Sequence, residues 1–180
     1  MTKSLLYLIK LSVIPILVII VGKLIGFALA GSFLGVDVNW VIHSPLDLFT
    51  PSVAVSDIRS VTTFADLFMY GALAIGMSII LIQSAFFHDS HVDINAVSKL
   101  ADYNLLGLIK SSYKLYHWGF IWSLYLIIGS IIIVLDYFAG KADLWALIVT
   151  GFFSIFGIMI LVKDVYNEIE TAKKISNNKI

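Results

Sequence analysis

The sequence predicts an all-α integral membrane protein with four transmembrane helices, and three observations carry that prediction. Residues 67–87, 115–135 and 144–162 each run about a membrane's thickness without a charged side chain, and 11–36 does so except for Lys23. In hydrocarbon no water is present to satisfy backbone N–H and C=O groups, so a run of roughly 20 such residues crosses as a helix. The composition agrees: 59% of residues are hydrophobic and 13% charged, with mean hydropathy +0.96. A soluble domain carries about 25% charged residues, so this chain lacks the polar surface to face water all round. Four spans and their connections also use up most of the 180 residues, predicting a single transmembrane domain over 1–180.

The first span is placed at about 11–34. Lys3 and Lys10 precede it, and Ala28-Leu29-Ala30-Gly31 has the small-x-small form of a signal-peptidase site. A secretory apolar core is about 7–15 residues, however, and this one is longer and holds Lys23, which predicts a retained helix. As a helix, 11–36 would extend about 39 Å, more than the hydrocarbon core requires. Tilt, a bend near Pro15 or an interfacial outer end would absorb the excess.

An outer loop is placed at 35–63. Trp40, Val41, Leu46, Leu48 and Phe49 make it too apolar for a free linker, and Ser44-Pro45 and Thr50-Pro51 punctuate it, so an ordered lid over the helix ends is expected. The second span covers about 66–87. Over 93–114, Ile94, Val97, Leu100, Ala101, Leu105, Leu108 and Ile109 recur at three- and four-residue steps behind a capping Asp93. This is the pattern of an amphipathic helix on the cytoplasmic surface, or of one packed on neighbouring protein. The third and fourth spans, about 115–137 and 144–163, are joined by 139–143, a connection short enough to make them antiparallel neighbours. A tail follows at 164–180.

Lysine placement predicts the orientation. If the chain crosses four times, Lys3, Lys10, Lys99, Lys110, Lys114, Lys163, Lys173, Lys174 and Lys179 share one side, and only Arg59 and Lys141 lie on the other. The positive-inside rule then puts both termini in the cytoplasm. The dominance of lysine over arginine and the abundant isoleucine point to an AT-rich prokaryotic genome, hence a bacterial or archaeal cytoplasmic (inner) membrane.

Two constellations could carry chemistry. Lys23 stands inside an apolar helix, where an unpaired charge costs about 3 kcal/mol on insertion scales. Gly22, Gly26 and Ala30 form a small-xxx-small series that permits close approach of another helix. Asp66 and Asp136 lie at the outer ends of spans two and three, and one of them is the natural partner of Lys23. These residues suit an ion or proton path or a polar substrate site, or else a structural ion pair that sets helix register or a lysine that snorkels to the outer surface. The second constellation is imidazole: His88 and His91 at i,i+3, with His117 at similar depth, could ligate a metal or haem, or lie as interfacial histidines in water and headgroups.

Zero cysteines exclude disulfides, cysteine–zinc sites and thiol catalysis, and zero net charge gives no electrostatic reason for nucleic-acid binding. There is no phosphate-binding glycine loop, His-Glu-x-x-His or Gly-x-Ser-x-Gly. The reading that follows is a small non-enzymatic, multi-pass subunit or assembly factor of a membrane complex, with the bilayer and other membrane subunits as partners and no cofactor favoured. Its alternatives are a small transporter or channel using Lys23 with Asp66 and Asp136, and a metal- or haem-binding membrane protein using His88, His91 and His117.

Overall fold

A computed structural model describes residues 3–40, 51–86, 102–103 and 112–177. Its main elements are four helices: α1 (Lys3–Leu34), α2 (Ile58–Phe86), α3 (Ser112–Phe138) and α4 (Leu144–Asn177). Each contains a segment long and apolar enough to cross a membrane: Leu11–Leu34, Ile58–Ala85, Lys114–Phe138 and Leu144–Glu170. The chain is therefore an all-α, multi-span membrane protein. Large apolar side chains stay exposed along the helices, among them Ile14, Leu17 and Val21 on α1 and Phe152, Phe156 and Met159 on α4. In a bilayer such faces can meet acyl chains or another helix. The expected surface helix at 93–114 lies almost wholly outside the described residues, and its last three positions, 112–114, belong to α3.

One boundary differs materially from the sequence reading. The second span begins at Ile58, eight residues before 66 and inside the expected outer loop. A charge-free run marks where hydrocarbon is tolerated, whereas a helix begins where its backbone bonds begin. Here Ala54 O accepts from Asp57 N and Ile58 N, and Asp57 O accepts from Val61 N. The first turns of α2 also have a protein-facing side, with Val61, Thr62, Thr63, Ala65 and Asp66 all buried. Asp66 thus sits two turns inside the helix rather than at its mouth.

By compactness the chain divides into two units, Met1–Ile75 with Leu124–Ser154, and Gly76–Ser123 with Ile155–Ile180. In the first, α1 lies directly on α2. A Cβ added at Gly26 would come 2.6 Å from Ala65 Cα, and one at Gly22 would come 3.1 Å from Met69 Cα. Phe27, Ala30, Val61 and Ala65 form a buried cluster, and the described parts of the connecting loop close over it through Val36, Val38, Trp40 and Val53. Asn39 and Ser52 exchange backbone bonds of 3.0 and 2.8 Å, and Trp40 meets Phe27 edge-on at 6.2 Å.

Two glycines end helices here. Gly35 (φ 67°) follows α1 and Gly140 (φ 73°) follows α3, both in the left-handed region that disfavours a Cβ. At each, the next amide reaches back five residues: Val36 N donates to Gly31 O and Lys141 N donates to Asp136 O. That closure makes the turn into α4 tight.

In the second unit the helices meet at two other glycines. The Trp122 indole lies over Gly76 and the Leu161 side chain over Gly119. Met77, Ile80, Leu115, Ile121 and Trp122 are buried in this unit, and the Ser84 hydroxyl donates to Asp164.

Candidate functional site

The first unit brings Lys23, Asp66 and Asp136 into one ionic triad. Lys23 Nζ lies 2.8 Å from Asp66 Oδ1 and 2.6 Å from Asp136 Oδ2, so one ammonium engages carboxylates from two helices. The side chains are 12%, 0% and 22% exposed respectively. Close approach of α1 to α2 at Gly22 and Gly26 delivers the lysine. The capped last turn of α3 delivers Asp136.

Depth explains the geometry. Lys23 lies about 16 Å along α1 from its end, Asp66 about 12 Å inside α2, and Asp136 about 3 Å from the end of α3, at 1.5 Å per residue. The lysine stem therefore reaches along the helix toward the bundle end, where its charge meets partners rather than hydrocarbon. The ammonium also lies 5.9 Å from the centroid of the Phe27 ring. Buried Asp66 makes only the ion-pair contact: among the described residues neither of its oxygens receives a well-directed hydrogen bond.

A cavity of about 70 Å³ adjoins the triad, lined by Lys23, Asp136, Thr62 and Lys141 with Pro51 and Val53 from the loop. It has space for a few waters and a polar wall to hold them. Further along α2 and α3 come Met69 and Ile133, both fully buried and apolar.

A second polar group, of hydroxyls, follows. Tyr70 OH donates to Thr150 O at 2.7 Å and lies 2.7 Å from Ser154 Oγ, which is 2.9 Å from Ser130 Oγ. Thr150 hydroxyl turns back onto Ala146 O at 2.9 Å. These bonds tie α2, α3 and α4 to one another. No charge or motif in the sequence marks Tyr70. Its one signal was position, a single turn beyond Asp66 on the same face of α2.

At the bundle end, Arg59 Nε lies 2.8 Å from Asp143 Oδ1, and Asp143 N donates to Thr63 Oγ1 at 2.9 Å. The start of α4 is thereby fastened to the start of α2.

The small-residue series is used within the chain. Gly22 and Gly26 face α2, and Ala30 is wholly buried in the cluster with Val61 and Ala65. The close approach that the series permits is made by α2 of the same chain. Of the three candidate histidines, His88 and His91 lie outside the described residues, and His117 lies on α3 in the second unit. Among the described residues no group of three His, Cys, Asp or Glu side chains could hold a metal ion. No family model, curated protein or solved structure matches the chain.

Proposed function

We propose that the protein is a small non-enzymatic subunit or assembly factor of a prokaryotic cytoplasmic-membrane complex, with both termini in the cytoplasm. The observation that carries this reading is an open apolar groove of about 350 Å³ beside α1 and α2, walled by Ile14, Leu17, Val21, Ile25 and Phe68, with Gly22 and Ala72 among its lining. Helices in a bilayer associate through close packing rather than hydrophobic transfer, and small residues in a groove admit the knobs of a neighbour. The small-residue face of α1 is already closed on α2, so a partner helix belongs in this groove. On this reading the triad is a clamp that holds α1 in place so that the groove keeps its shape.

The chain contains no cysteine, so Val21→Cys is a single-site probe. Crosslinking in native membranes should give one adduct of fixed mass, matched by a stoichiometric partner on gentle detergent extraction. A clean monomer in both experiments refutes the reading. The orientation is tested separately by a reporter spliced near Arg59, expected outside the cytoplasm; a cytoplasmic reporter overturns it.

A second reading, a small transporter or channel, is favoured by the contact of Lys23 with Asp66 and Asp136 beside a polar cavity. Lys23→Met would then abolish cation flux in proteoliposomes at normal expression. Absence of flux in the unaltered protein removes this reading.

A further inference from the structure

The three helix ends that meet in the first unit leave a slot of about 230 Å³, lined by Leu34, Ser60, Thr63, Phe64, Leu67, Asp143 and Trp145. This volume is too large for a single water or ion. Leu34 closes the span of α1, Ser60 to Leu67 open that of α2, and Trp145 is the second residue of α4. The slot therefore stands where hydrocarbon gives way to headgroups. Its wall of Leu34, Phe64 and Leu67 is apolar, and Phe64 is held by stacking on Phe33 at 5.8 Å.

A negative charge lines this slot, and its positive partner stands beside it. Asp143 lines it, held by the Thr63 hydroxyl through its backbone N–H, and Arg59 pairs with it through Nε. Nε is also the atom that donates to Ala142 O, and the Arg59 side chain is half-exposed. An exposed ion pair of this kind adds little to stability by itself. Trp145 is 53% exposed next to it, with the amphipathic ring that favours membrane interfaces and attracts cations to its face.

We infer that this slot binds the headgroup of a zwitterionic aminophospholipid, with the phosphate against Arg59 and the primary ammonium against Asp143 and Trp145. The charge pattern selects the ligand. A guanidinium fork suits a phosphate. A carboxylate beside it repels a second negative group and accepts the N–H bonds that a primary ammonium offers and a quaternary one does not. The acyl chains then run along Phe64 and Leu67.

The full-length protein in detergent is titrated with short-chain phosphatidylethanolamine, phosphatidylcholine and phosphatidylglycerol, and retained lipid is counted by native mass spectrometry. Phosphatidylethanolamine should be retained at least fivefold over the other two. Asp143→Asn and Trp145→Ala should each bring that ratio near one, while Phe156→Ala, at an exposed apolar position elsewhere on α4, leaves it unchanged. Equal retention of the three lipids overturns the assignment, as does a preference for phosphatidylglycerol or one that survives both slot variants. If Asp143→Asn fails to fold, the comparison of primary with quaternary ammonium on the unaltered protein still decides it.

Discussion

Lys23→Met removes one positive charge and leaves two carboxylates facing each other with nothing between them. At the observed 2.8 and 2.6 Å, and with an effective dielectric constant of about 20, each ion pair amounts to about 6 kcal/mol of attraction. Desolvation of three charges and the repulsion between the aspartates offset most of it. The net loss expected from stripping one partner out of a buried pair is about 3–5 kcal/mol. Asp66 should dominate, because its side chain is fully buried whereas that of Asp136 keeps 22% exposure and some access to water. Reversible unfolding in mixed micelles, followed by tryptophan fluorescence, measures the change. Two companions isolate the cause. Lys23→Met with Asp66→Asn should recover at least half of the loss, and Lys23→Met with Asp136→Asn should recover less. A loss below about 1 kcal/mol for Lys23→Met, or equal recovery by both doubles, refutes the placement of Asp66 as the buried, dependent partner.

Three further outcomes are expected. Gly26→Leu should abolish accumulation of folded protein, because its Cβ would stand 2.6 Å from Ala65 Cα and backbone cannot swing aside; Gly71→Ala, with nothing within 4 Å, should be silent in the micelle unfolding assay. Gly76→Ala should cost about 1–3 kcal/mol and shift tryptophan emission, since a Cβ there would fall 2.0 Å from the Trp122 ring, whereas Gly119→Ala meets only the movable Leu161 tip and should cost less. Tyr70→Phe should lower stability by about 1 kcal/mol through loss of its bonds to Thr150 and Ser154; a neutral result in the unfolding assay would mean that the hydroxyl group contributes no net stability.

How much of this was legible in the residues varies by element. The spans were, because every crossing must be long and apolar whatever surrounds it. The start of α2 was not, since Arg59 and Asp66 break the apolar run while the helix runs through both. Lys23 announced itself as a charge in an apolar helix, with Asp66 and Asp136 as candidate partners. That one ammonium serves both was not visible, because nothing local relates residues 113 apart. The hydroxyl cluster was harder still. Tyr70, Ser130 and Ser154 are each unremarkable in a span and acquire meaning only when three helices turn them toward one point.

By itself, then, the sequence determined that the chain lives in a bilayer, that it has four helices to cross with, and that one of them carries a charge needing a partner. Tertiary structure alone decided that Gly22, Gly26 and Ala30 are spent on α2 of the same chain, that the lysine has two partners, and that a slot lined by a negative charge, with its positive partner beside it, lies at the meeting of three helix ends. The physical reason is that insertion into lipid acts on each helix separately, through its own length and polarity. The rotation of one helix against another is set by side-chain shape across contacts between residues far apart in the chain.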